Sequence, residues 1–188
     1  MDLVVHDHNE WGKGAIKKLG VSPDAFMQLA MLLAYSRDTN GRLPLTYEAS
    51  MTRLFHCGRT ETERVALLQA AATRHQDLYR EAMCGEGLDR HLFAMYVACR
   101  GLGHKSPFLE EVLSLPWTLS TSQQPQQQIA EMPDVNHEIF MDKVSPGGGF
   151  GPVSDEGYGV SYMLPSDHRL FLHVSSKKSS NLTDSARF

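Results

Sequence analysis

Apolar residues follow two different rhythms along this chain, and the points where the rhythm changes mark its elements. Leu3–His6 is a short apolar run that predicts a buried strand. From Phe26 onward, Phe26, Leu29, Ala30 and Leu33 recur at helical spacing, so a helix with that stripe turned to the core is expected. Ser22 as N-cap and Pro23 at the first helical position set its start, and Asn40-Gly41 closes it. After Pro44 comes a Thr-Tyr pair, then a short amphipathic helix stopped by Gly58, then the polar run Arg59–Thr62. Thr60-x-x-Glu63 has capping-box spacing for a helix of roughly Glu61 to Met83, with Val65, Leu68, Ala72 and Leu78 as its mixed apolar face and Gly85/Gly87 at its end. Leu88–Leu102 reads as a third helix with Leu92, Met95, Tyr96 and Cys99 on its core side. Ser106-Pro107 opens a short fourth, ending near Ser114.

The rhythm then shifts toward alternation. Leu115–Thr121 reads as extended, and Gln123–Gly149, rich in Gln, Pro and Gly, as a long surface connection. Tyr158–Met163 and Arg169–Ser175 alternate and are joined by Pro165-Ser166-Asp167-His168, a hairpin signal. No regular strand–helix–strand repeat runs through these elements. The fold class expected is therefore α/β with a mixed sheet covered by helices.

Composition narrows the partners more than the fold. At 188 residues, 41% hydrophobic and 21% charged, the chain has the make-up of one globular domain with a real core. A net charge of −4 gives no electrostatic case for nucleic acid or an anionic membrane. Cys57, Cys84 and Cys99 are odd in number and lack C-x-x-C spacing, so neither a disulfide framework nor a zinc knuckle is indicated, and no metal is expected. No apolar run approaches the ~20 residues of a spanning helix. The first eleven residues carry acids early and have neither a basic n-region nor an Arg-rich amphipathic face, so they read as the inside of a domain.

Four clusters carry candidate chemistry. Gly12-Lys13-Gly14 with Lys17-Lys18, just before the helix start at Ser22-Pro23-Asp24, can hold phosphates through charge, backbone N–H groups and the helix dipole; a solvated basic turn is the alternative. Tyr47 and Thr60 offer hydroxyls and Arg59 a guanidinium, a cluster suited to a small anion although most such clusters only cap helices, and Arg90 in Gly87–Leu92 can partner Asp89, Glu86 or a helix end. Ser120-Thr121-Ser122-Gln123 is a hydroxyl run. Gly147-Gly148-Gly149-Phe150-Gly151-Pro152, followed by Asp155-x-Gly157-Tyr158-Gly159-Val160, is glycine-rich but has no helix behind it, so it is not a dinucleotide fingerprint.

These segments, in this order, resemble the carnitine and choline acyltransferase family, in particular its long-chain carnitine palmitoyltransferase branch. The segments are TYEASMTRLF with GRTET, then DRHL, LSTSQ, GGGFGPV and GYGVSY, and the resemblance runs from about Trp11 to the last residue. It implies the C-terminal half of a chloramphenicol-acetyltransferase-like fold, with residues 1–188 a partial acyltransferase domain. The implied reaction moves a long-chain fatty acyl group between coenzyme A and carnitine, with coenzyme A or acyl-CoA as co-substrate and no permanently bound cofactor. On the same basis Lys13, Lys17, Lys18, Asp24 and Gln123 meet coenzyme A. Tyr47, Thr60, Arg90, Ser120 and Phe150 meet carnitine, Phe150 as a surface for its trimethylammonium group. Ser122 stabilises the oxyanion. The implied location is the cytosolic face of the mitochondrial outer membrane.

Three departures from the family pattern stand beside the match. The general base is a histidine in an H-x-x-x-D motif, and none of the nine histidines here has an aspartate four residues on; His137 has Asp142, one residue too far. After Thr62 the chain runs straight into Glu63-Arg64-Val65, where relatives carry a further stretch, so the junction reads as an internal gap. Relatives also carry one more amphipathic helix after the ARF segment. The expectation is a chain that has the family's binding surfaces without its base and is inactive by itself. The alternatives are a non-catalytic module for coenzyme A or acyl-CoA and an unstable partial product.

Overall fold

The computed structural model describes residues 1–48, 63–123 and 147–188. In chain order the elements are β1 (Asp2–His8), α1 (Lys13–Lys18), α2 (Pro23–Asp38), β2 (Thr46–Glu48), α3 (Glu63–Met83), α4 (Leu88–Gly101), α5 (Pro107–Ser114), β3 (Leu119–Gln123), β4 (Tyr158–Met163) and β5 (Leu170–Ser176). The strands form one five-stranded sheet in the order β1-β5-β4-β3-β2. β1, β5 and β4 pair antiparallel, whereas β4, β3 and β2 pair parallel. The sheet is mixed, as expected.

Local signals fix the helix starts and stops. Ser22 caps α2 by accepting from the Ala25 amide, and Ser106 does the same for α5 from Leu109. Asn40 (φ 56°) and Gly41 (φ 89°) take the left-handed backbone that ends the α2 region. The hairpin between β4 and β5 forms where the alternation placed it. The short helix expected before Gly58, the capping box at Thr60 and most of the long connection before Gly149 lie outside the described residues.

The choice of buried faces differs from expectation. β1 is an edge strand, with Leu3 45% and Val5 54% exposed, because only β5 pairs with it; it is not a buried strand. In α2 the residues turned to the sheet are Met27, Gln28, Met31 and Tyr35, while Leu33 is 52% exposed and Phe26 and Leu29 are only partly covered. The sheet takes a strip of helix one position away from the apolar stripe, because Gln28 finds hydrogen-bond partners there. On α3, Ala72 is buried but Leu78 is not. α4 has no buried residue at all: Met95 is exposed and Leu92, Tyr96 and Cys99 only partly covered, since its main packing partner is α5 alone.

The main core is a layer between α2 and the sheet, built from Met27, Met31 and Tyr35 against Leu119, Tyr158, Val160, Tyr162, Leu170 and Val174. A smaller core of Ile16, Val21, Ala25 and Ala72 ties α1 and α3 to the other flank of α2. Tyr158 locks the end of α2 to the C-terminal turn: its hydroxyl donates to Asp38 at 2.7 Å and accepts from the Asp184 amide at 2.8 Å. No helix among the described residues is long and apolar enough to cross a membrane.

Candidate functional site

Side chains alternate across a strand, so the pairing register sorts the candidate residues onto two faces of the sheet. Leu119 and Thr121 of β3 look toward α2 with Tyr158, Val160 and Tyr162 of β4. Ser120 and Ser122 therefore point to the opposite face. There the register lines up two cross-strand rows. One runs Tyr47, Ser120, Gly159, Ser175, Leu3; the other runs Ser122, Ser161, His173, Val5. Tyr47 and Ser120, 73 positions apart in sequence, are direct cross-strand neighbours.

The glycine-rich strap 147–151 crosses this face. The Phe150 carbonyl accepts from the Ser175 hydroxyl, which also donates to the Gly159 carbonyl at 3.1 Å. A Cβ at Gly159 would lie 2.7 Å from Ser175 Oγ and 3.0 Å from the Phe150 oxygen, so Gly159 is what lets the strap lie down. Ser120 is buried, Ser122 half-buried and Tyr47 51% exposed, which gives the row one wet end. Arg90 sits exposed in the first turn of α4, on the α4–α5 pair rather than in either row, and Thr60 lies outside the described residues. Gln123 ends β3 with an exposed side chain.

The basic cluster has a structural explanation for its glycines. A Cβ at Gly12 would come within 2.5–2.9 Å of backbone atoms of Arg169 and Ser166, and one at Gly14 within 2.8 Å of Asp167. The Lys13 and Gly14 amides donate to the carbonyls of Ser166 and Asp167. This corrects the expectation that these backbone N–H groups hold phosphate: the β4–β5 hairpin already occupies them. Lys17 and Lys18 are exposed, Lys13 half-exposed, and Lys17 lies only loosely against Asp167 at 3.9 Å.

Asp24 turns inward instead of toward those lysines. It accepts a hydrogen bond from the Tyr162 hydroxyl, which also accepts from Gln28 Nε2 at 3.1 Å, and Gln28 Nε2 reaches Thr121 Oγ1 at 3.0 Å. Burial raises the Asp24 pKa, opposed by the Tyr162 hydrogen bond and reinforced by the charge of Glu48. Glu48, facing α2 because Tyr47 faces the other way, pairs with His75 Nε2 of α3 at 2.8 Å. Sequence reasoning missed Gln28, Glu48, His75 and Tyr162. Strand alternation next to Tyr47 could have flagged Glu48, but nothing local marks His75.

Ligand atoms of Asp24, Glu48 and His75 lie within 4.8 Å of one another, among the described residues the one grouping that could hold a metal ion. Each is already engaged with Tyr162 or with another member of the group. The His75–Glu48 contact makes a testable link between pH and stability. Burial disfavours the imidazolium, but the hydrogen bond His75 donates to Glu48 and the charges of Glu48 and Asp24 outweigh it, so the His75 pKa stands above its usual 6.5. A raised folded-state pKa contributes stability below the unfolded value and loses it as pH rises through the folded one. The melting temperature of the chain should therefore fall from about pH 6 to about pH 8, and Glu48→Gln should flatten that slope. An equal slope in the variant would assign the dependence elsewhere.

The chain matches the family model described as Choline/Carnitine o-acyltransferase over residues 1–66 and 62–188. The break between the two matched segments falls where the sequence reads as a junction after Thr62. Carnitine O-palmitoyltransferase 1, muscle isoform, of Homo sapiens is 49% identical over 201 residues, covering 95% of this chain and 26% of the relative. The liver isoform of Homo sapiens is 50% identical over the same extent. The mitochondrial carnitine O-acetyltransferase of Saccharomyces cerevisiae is 31% identical, covering 93% of this chain and 27% of the relative. The chain thus spans about a quarter of the length of the curated relatives it matches.

Proposed function

We propose, from the premise that the chain belongs to the choline/carnitine O-acyltransferase family, that it carries the carnitine-facing and coenzyme-A-facing surfaces of a long-chain acyltransferase. The reaction is transfer of a fatty acyl group between coenzyme A and carnitine, in fatty acid metabolism at the mitochondrial outer membrane. The observation that carries this reading is the cross-strand pairing of Tyr47 with Ser120, with Ser122 next on the same face. A carboxylate beside Tyr47 and Ser120 would lie one alternate strand position, about 7 Å along β3, from Ser122, with the hydroxyl of the same small molecule between them. Ser122 would then donate to the oxygen on which charge develops as the thioester is attacked. Thr60 would complete the carboxylate site and Phe150 would face the trimethylammonium group, whereas Arg90, exposed on α4, lies away from this row.

Coenzyme A is held on this reading by the charges of Lys13, Lys17 and Lys18, with Gln123 toward the rest of the molecule, whereas Asp24, turned inward to Tyr162, is not part of that surface. None of the nine histidines has the H-x-x-x-D spacing of the family's base. The proton of carnitine's hydroxyl is therefore taken by a group outside these residues, and the isolated chain binds without turning over.

Calorimetric titration with coenzyme A tests the binding half. The chain should bind, and Lys13→Ala and Lys17→Ala should each weaken binding about tenfold or more, the worth of one charge-assisted contact. Unchanged affinity in both variants would sink the assignment. A thiol-release assay tests the other half, since carnitine-dependent turnover by the isolated chain would place a base among its own residues.

A further inference from the structure

His173 is buried, with 8% of its surface exposed, and among the described residues neither ring nitrogen has a hydrogen-bond partner. A buried imidazole must leave at least one donor unpaired in that state, which is costly unless something else fills the role. Its position is not arbitrary. His173 on β5 is the cross-strand partner of Ser161 on β4, and Ser161 is the partner of Ser122 on β3, all on the face away from α2. Gly149 of the strap lies beside it: a Cβ there would be 3.4 Å from the ring Nδ1, in ordinary contact.

We propose that Ser122, Ser161 and His173 form a polar subsite for the acyl part of a thioester, in which His173 hydrogen-bonds an oxygen carried on the third carbon of the acyl chain. The proposal rests on the reading of Ser122 given above. Two strand spacings put the Cα atoms of Ser122 and His173 about 10 Å apart. A thioester oxygen held by Ser122 and a hydroxyl held by His173 span two hydrogen bonds of about 2.8 Å plus about 3 Å of chain between C1 and C3 oxygens, close to that separation. An unsubstituted chain crosses the same row and leaves the imidazole unpaired. The apolar groove of about 280 Å³ lined by Trp11, Phe26, Met31, Leu172 and Phe188 is no competitor for these atoms. It lies on the α2 side of the sheet, and a thioester at Ser122 is on the other.

The test compares the binding of coenzyme A, butyryl-CoA and 3-hydroxybutyryl-CoA to the full chain by calorimetry. The 3-hydroxy compound should bind about fivefold more tightly than butyryl-CoA, the worth of one net hydrogen bond. His173→Leu should abolish that preference while leaving the affinity for coenzyme A itself within about twofold. His173→Gln, which keeps a donor and an acceptor, should retain part of it and serves if the leucine variant does not fold. Equal binding of the two thioesters, or a preference that survives in His173→Leu, overturns the subsite while coenzyme A binding itself stands. No binding of coenzyme A or of either thioester overturns the subsite together with the reading it rests on.

Discussion

Gly12→Ala is expected to destabilise the chain by about 3 kcal/mol, a large share of the stability of a domain this size. The new methyl carbon would lie 2.5 Å from the Arg169 nitrogen, 2.8 Å from the Ser166 oxygen and 2.9 Å from the Arg169 oxygen. All three are backbone atoms of the β4–β5 hairpin, so no side chain can swing aside to make room. Relief requires α1 to part from the hairpin, which breaks the Lys13 and Gly14 amide hydrogen bonds to Ser166 and Asp167. The same movement would displace Lys13 and Lys17. Urea unfolding followed by circular dichroism measures the cost, and a change below about 0.5 kcal/mol, the level of an ordinary surface substitution, would show that the approach is looser than described. The glycine's φ of −148° lies outside the left-handed region that favours glycine, so the effect tests chiefly contact.

Leu119→Ala should cost about 3 kcal/mol, within the 2–5 found for buried leucines. Leu119 opens β3 with no exposed surface, enclosed by the core that joins Met27, Met31 and Tyr35 of α2 to Tyr158 and Val160 of β4. Central strands on one side and a helix on the other leave little freedom for the hole to collapse. The informative partner is Leu33→Ala. The apolar stripe of α2 makes Leu33 a core residue, whereas its 52% exposure makes it a surface one, so its loss should stay within about 0.5 kcal/mol. Equal losses at the two positions would mean that α2 is rotated from its described orientation.

That contrast separates what was legible in the sequence from what was not. Ser22-Pro23, Ser106-Pro107 and Asn40-Gly41 are recognisable because capping and left-handed turns are made by residues within three or four positions of one another. The β4–β5 hairpin is recognisable for the same reason. The face that α2 buries is set instead by what lies opposite. Gln28 is drawn in by Thr121 and Tyr162, 93 and 134 positions away, while Leu33 is left out. α4 shows the converse: among the described residues a good amphipathic pattern packs mainly on α5, and none of its residues is buried.

For the candidate site the division is similar. Residue types and order alone pointed to Tyr47, Ser120, Ser122 and the lysines of α1, since motif wording survives without any knowledge of contacts. The tertiary structure decided that Tyr47 and Ser120 are neighbours, that Asp24 looks inward to Tyr162, and that the amides at Lys13 and Gly14 are already taken. It also brought His75 to Glu48 and set His173 in line with Ser161 and Ser122. By itself the sequence determined most element types, their approximate bounds and the family, because these are written in short-range spacing, whereas the helix at Lys13–Lys18 and the strand at Thr46–Glu48 came only with the tertiary structure. Register, buried face and the pairing of polar groups were decided by the sheet, because strands distant in the chain must share one hydrogen-bond ladder, and each residue's side follows from that pairing.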